Sequence, residues 1–200
     1  MPDLIAACPP LTPSAVIVTT FIGDGPLSRK AGLQRRTFAR LVDKAVAEYT
    51  RAREALIAQI EEGKRPANEM ARTGRLIYVF AFVDHLENCL NASRRLLLSL
   101  DQLKKDRTVP HLERVNRREV EVGGRGIVDV RNTLEHMAER IDRGDVQGGQ
   151  PVVLCLTDDG RAVSLGDTSL RLDTLACVLQ RLYSFGKNVV EAKTGAQGAT

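Results

Sequence analysis

Two long stretches of this chain repeat apolar residues at steps of three and four, and that spacing commits both to amphipathic helices. Between Thr37 and Ile60, the residues Phe38, Leu41, Ala45, Tyr49, Ala52, Leu56 and Ile60 fall on one helical face, and Gly63 and Pro66 end the pattern. Between about Gly74 and Lys105, a second stripe is made by Val79, Val83, Leu86, Leu90, Leu97 and Leu100. Lys104 and Lys105 sit favourably at its C-terminal, negative end. A helix that is apolar on one stripe must bury it against a neighbour, so a packed helical domain follows.

A third helix is expected from about Gly126 to Arg143, with Gly144 at C′ and Ile127, Val130, Leu134, Met137 and Ile141 inward. The Gly123-Gly124 pair falls in the polar connection before it. The period then shortens. Val152, Leu154 and Leu156 alternate, Thr157-Asp158-Asp159-Gly160 supplies turn residues, Ala162 to Leu165 returns, and Ser169 to Leu172 adds a third short strand. Asp173 is suited to cap a last helix carrying Leu175, Leu179, Leu182 and Val189 to about Ala192.

Ahead of these, residues 1–36 mix prolines and glycines with one β-branched run, Val16 to Thr20, and are expected to form an extended N-terminal arm. Residues 193–200 are small and polar and should fray. The expected architecture is mostly α: an antiparallel four-helix bundle over 37–192, with a small β-hairpin insert at about 151–172 between its last two helices. Short links favour that antiparallel arrangement.

Composition narrows what such a domain can do. The chain has 200 residues, 43% of them hydrophobic and 27% charged, enough for one ordinary core without staples. Its net charge of +4 comes from 29 basic and 25 acidic residues spread along the chain. Such a field permits phosphate contacts, while aromatics at 4% and no Trp argue against a base-stacking platform. Cys8, Cys89, Cys155 and Cys177 are far apart and none has ligand spacing to a histidine, so no metal site and no cofactor are expected. No basic n-region opens the sequence and no apolar run is long enough to span a bilayer, so a cytoplasmic protein with no membrane contact is expected. Its cysteines should then be reduced, with Cys89 and Cys177 acting as small core side chains.

Chemistry concentrates on the third helix, in Arg131-Asn132-Thr133-Leu134-Glu135-His136 followed by Glu139 and Arg140. At about 100° per residue, Arg131 and His136 lie about 140° apart, flanking a polar strip of Asn132, Glu135 and Glu139. Asn132 and His136, four apart, share a face. An arginine offers fixed donors to a phosphate and a histidine exchanges a proton near neutral pH, the minimum for moving a phosphodiester without a metal. A second polar band, Asp84, His85, Glu87, Asn88 and Asn91, interrupts the central helix. It is expected either to be a packed network or to face the same cleft and support Arg131 and His136. His111 is expected at the surface. Gly123-Gly124-Arg125-Gly126 follows no strand and lacks the Lys-Ser/Thr of a P-loop, which disfavours a nucleotide-binding domain.

The run Arg131-Asn132-x-x-x-His136 on a penultimate helix resembles the R-x4-6-H signature of the HEPN superfamily, and the bundle with two long helices resembles that family's layout. The resemblance implies a metal-independent endoribonuclease with Arg131, Asn132 and His136 as catalytic residues. His85, Asn88, Glu135, Glu139 and Arg140 would bind or support. It also implies a homodimer whose two motifs meet across a symmetric cleft, an RNA substrate, and a toxin or defence role with a separate antitoxin or regulator. The alternative is a non-catalytic bundle dimer that binds a protein or nucleic-acid partner.

Overall fold

A computed structural model of the chain describes residues 1–21, 23, 27–73, 77–109, 114–158 and 160–192. The chain is mostly helical, 69%, with a small three-stranded antiparallel sheet near the C-terminal end. The helices are α1 (Thr12–Phe21), α2 (Arg29–Gly63), α3 (Ala67–Thr73), α4 (Ile77–Leu103), α5 (Arg114–Glu135), α6 (Met137–Asp142) and α7 (Leu172–Val190). The strands are β1 (Cys155–Thr157), β2 (Ala162–Leu165) and β3 (Thr168–Arg171). Seven helices among the described residues replace the four expected. The four long ones contact one another in the order α2, α4, α5, α7 and back to α2.

Cross-contacts fix their directions. Gln34 meets Gln102 and Glu48 meets His85, so α2 and α4 run antiparallel. Lys104 faces Glu121 and Asn91 faces Arg131, which makes α4 and α5 antiparallel as well. Glu119 meets Arg181 and Gly123 packs on Thr174 and Val178, giving the same relation between α5 and α7. The first stripe holds from Phe38 to Ala52, all buried, with Phe38 edge-on to Phe185 at 5.4 Å. Ile60, at the far end, is exposed.

The N-terminal stretch is helical rather than an extended arm, and α2 begins at Arg29 rather than near Thr37. Both departures have a tertiary cause. The Asp43 carboxylate on α2 accepts the backbone N–H groups of Leu11 and Thr12, at 2.7 Å each, and so satisfies the orphan donors that open α1. Leu4, Cys8, Leu11 and Ala15 are buried. At the start of α2, Ser28 caps the N–H of Ala31 and donates its hydroxyl to Asp106 beyond α4. The Ser28 hydroxyl, with the hydroxyl and N–H of Thr108, holds the Asp106 carboxyl below the usual carboxylate range.

Gly123 and Gly124 lie inside α5, not in a connection before it. A side chain on Gly123 would start 2.5 Å from Val178 Cγ2, and one on Gly124 would start 3.2 Å from the Leu97 methyls. The glycines therefore let α7 and α4 approach the α5 backbone. The sheet seats on α5 by the same means, since Gly126 faces Leu170 of β3. Val163, Leu165 and Leu170 are buried, whereas Val152 and Leu156 are exposed and only Leu154 of that alternating trio is inward. The β2–β3 turn is two residues long, Gly166 taking φ +57° between paired Leu165 and Thr168.

Asp173 does not cap α7. Arg171 holds the N-cap position without a side-chain hydrogen bond, and Asp173, inside the first turn, pairs with Arg171 and accepts the Thr174 N–H. No helix among the described residues is long and apolar enough to cross a membrane. The expectations for His111 and for the tail 193–200 fall outside the described residues.

Candidate functional site

The expected third helix is broken at the histidine. His136 takes φ −100° and ψ 10°, ending α5 at Glu135 and starting α6 at Met137. The hydrogen-bond ladder survives the bend: His136 N–H donates to Asn132 O at 3.1 Å and Arg140 N–H to His136 O at 3.0 Å. Met137 is buried just beyond the bend. At the other end, Asp145 N–H donates to Arg140 O and Gly144 N–H to Ile141 O, a Schellman stop with Gly144 at φ +73°, the C′ glycine the sequence indicated. Past the bend Ile141 turns outward and is exposed, against expectation.

His136 lies in an open depression of about 420 Å³ lined by Asn132, Thr133, His136, Glu139, Arg140 and Arg143. Its side chain is 54% exposed, and Nδ1 sits 3.2 Å from Glu139 Oε2. A carboxylate on Nδ1 favours the tautomer with its proton there and leaves Nε2 as the outward acceptor. Arg140 is only 19% exposed. Its Nη1 lies 2.9 Å from Asp167 Oδ1 in the β2–β3 turn, and that hydrogen bond holds the Asp167 carboxyl below its ordinary range. Arg143 pairs with Asp145 at 3.0 Å.

Arg131 stands apart from this depression. Its Nη1 and Nη2 both donate to Glu135, its Nε donates to Asn91 Oδ1 at 3.3 Å, and its side chain is 21% exposed. Thus Asn132, His136, Glu139 and Arg140 line one depression, while Glu135, expected on the same strip as Asn132 and Glu139, forms a separate pair with Arg131. The angular separation of about 140° between Arg131 and His136 accounts for this division.

The second polar band does not join the site. His85 Nδ1 lies 2.7 Å from Glu48 Oε2 on α2, and Glu48, nearly buried, also pairs with Arg51. His85, Glu48 and Arg51 thus form a network between α2 and α4, whereas Asn91 accepts from Arg131 on α5. Asn88 is exposed on α4, and the Glu87 carboxyl is raised by burial and then by Asp84. Sequence reasoning had Asn91 only as part of this band and did not foresee Thr133, Arg143 or Asp167 at the site. Thr133 is next to Asn132 and Arg143 lies four residues after Glu139, so both could have been found by following the helix face. Asp167 is brought in by the hairpin and left no local signal.

Of the thiols, Cys89 is wholly buried and pushed up to about 12 by desolvation, Cys8 is pushed up to about 11 by burial, and Cys177 is half-buried rather than a core residue. Among the described residues no group of three or more His, Cys, Asp or Glu side chains is placed to hold a metal ion. No family model matches the chain, and no curated protein or solved structure matches it either.

Proposed function

We propose that the chain is a metal-independent endoribonuclease of HEPN type, acting in the cytoplasm as a homodimer on an RNA substrate. What carries the reading is His136: an exposed imidazole between two helices, with Asn132 one turn before it, Glu139 on Nδ1 and two arginines, Arg140 and Arg143, lining the same depression. The reaction is transesterification. The 2′-hydroxyl oxygen attacks the adjacent phosphorus, and its proton passes to the base. The bond to the 5′-oxygen breaks, and that oxygen takes a proton as it leaves, giving a 2′,3′-cyclic phosphate and a 5′-hydroxyl. One His136 supplies one of these transfers, and the second copy in a dimer supplies a second imidazole across the two-fold axis. The polar residues of α4 and α5, Asn88 among them, mark the proposed dimer face. A toxin or defence role would require a separate antitoxin or regulator to silence the site.

One observation favours a second reading, a non-catalytic helical dimer that binds a protein or nucleic-acid partner. Arg131 donates from Nε, Nη1 and Nη2 to Asn91 and Glu135 and does not line the depression that contains His136. The two readings separate by incubating the purified chain with RNA and with its all-deoxy counterpart in excess chelator. The ribonuclease reading requires cleavage of RNA alone and a loss on the order of 10²-fold or more in His136→Ala. Retention of intact RNA without cleavage leaves the binding module.

A further inference from the structure

The arginine that shares a depression with the histidine in this fold is not the one that precedes it in the motif. Arg131 spends Nε, Nη1 and Nη2 on Asn91 and Glu135. Arg140 engages Asp167 through Nη1, and Asp167 is the one carboxylate paired with it among the described residues. Arg140 lines the depression that contains His136 and Asn132, and Arg131 does not.

We infer that Arg140, held beside His136 by the β2–β3 turn, is the phosphate-binding arginine of the site. Arg131 instead ties α5 to α4 through Asn91. The inference rests on the proposed reading of the depression as a phosphodiester site. It also gives the small sheet a purpose. The turn bears two groups on Arg140: Asp167 fixes its Nη1, and Gly166, at φ +57°, leaves room for that same nitrogen, since a side chain there would start 3.3 Å from Arg140 Nη1, 3.4 Å from Thr133 Cγ2 and 3.6 Å from Met137 Cε. A planar fork immobilised at one nitrogen still presents its remaining N–H groups to phosphate oxygens, with less freedom to lose on binding than a solvated side chain. Asp167 and Gly166 are thus positioning residues. Glu139 lies against His136, Asp167 against Arg140 and Asp145 against Arg143, so the local charge is nearly balanced. Binding should accordingly be weak and salt-sensitive.

The test follows the His136 imidazole by NMR while the full-length chain is titrated, at low salt, with inorganic phosphate and with an RNA dinucleotide blocked by a 2′-O-methyl group. Both probes should shift the His136 signal. Arg140→Ala should weaken both by about 10-fold or more, as expected for losing a charge-assisted pair of hydrogen bonds. Arg140→Lys should retain part of the affinity, and Arg131→Ala should change it by less than about threefold. Gly166→Ala alters no charge, and weaker binding with the helical signal intact would mark the turn as positioning Arg140. If Arg140→Ala unfolds, the Arg140→Lys and Gly166→Ala chains carry the comparison. Binding lost in Arg131→Ala but kept in Arg140→Ala and Arg140→Lys overturns the assignment and leaves the phosphodiester reading standing. A response to phosphate that needs Arg140, with none to the dinucleotide, keeps the assignment and removes the phosphodiester reading. No His136 shift with either probe removes both.

Discussion

Gly123 and Gly124 are adjacent in the middle of α5, yet alanine should destabilise the protein at the first and not at the second. A glycine in a helix interior costs about 1 kcal/mol relative to alanine, so each substitution begins with that gain. At Gly123 the new Cβ would sit 2.5 Å from Val178 Cγ2 and 3.0 Å from Thr174 Cγ2. Carbon atoms prefer about 3.5–4.0 Å, so α5 and α7 must part by roughly 1 Å, or Val178, which is buried, must leave its rotamer. Overpacking of this kind costs about 1–3 kcal/mol, and the balance is a loss of about 1 kcal/mol. At Gly124 the contacts are the ends of the Leu97 side chain at 3.2 Å, which a few tenths of an ångström relieve. There the propensity gain should survive in part, leaving the protein unchanged or more stable by up to about 1 kcal/mol. For a chain of this size each kcal/mol is about 2–4 °C in Tm, so the two variants should melt several degrees apart, followed by circular dichroism at 222 nm. A Gly123→Ala chain as stable as Gly124→Ala would refute the close approach of α5 and α7 at this point.

Three further outcomes follow from buried and charged groups. Tyr49 is fully buried and its hydroxyl has no hydrogen-bond partner among the described residues, so Tyr49→Phe should be at least as stable as the parent in urea denaturation. In the native chain a thiol reagent should modify Cys155 first and Cys177 more slowly. Cys8 and Cys89, buried and with raised pKa values, should react only on unfolding, which a timed count of modified thiols by mass spectrometry checks. Asp106 is depressed in the folded state, so its hydrogen bonds with Ser28 and Thr108 stabilise the fold above the ordinary carboxylate range and are lost as pH falls through the depressed value. Asp106→Asn should therefore melt below the parent at neutral pH, and the gap should close on acidification.

What the sequence disclosed was set by range. The stripe from Phe38 to Ala52 and the inward positions Leu175, Leu179, Leu182 and Val189 are buried as their spacing required, because helical periodicity is a local property. The C′ glycine at 144 was legible for the same reason. Helix α1 was not, because its opening N–H groups are satisfied by Asp43 from another helix, and a Pro- and Gly-containing stretch carries no trace of that. Gly123-Gly124 looked like a connection because glycine ordinarily weakens a helix. Here its missing side chain is what the packing of α4 and α7 requires. At the site, the pairing of Arg131 with Glu135 and the shared face of Asn132 and His136 follow from four-residue spacing. The bend at His136 and the tether from Arg140 to Asp167 depend on how α6 and the sheet pack, with no proline or glycine at the bend to announce it.

The most direct test of the proposed chemistry is a DNA oligonucleotide carrying a single ribonucleotide, incubated with the purified chain in excess chelator and read by mass spectrometry. If His136 serves attack by a 2′-hydroxyl, the strand is cut once, 3′ to the ribose, leaving a 2′,3′-cyclic phosphate on one fragment and a 5′-hydroxyl on the other, and His136→Ala abolishes the cut. An uncut strand, cuts at deoxy positions, ends bearing a 3′-hydroxyl, or equal cleavage by His136→Ala would contradict it.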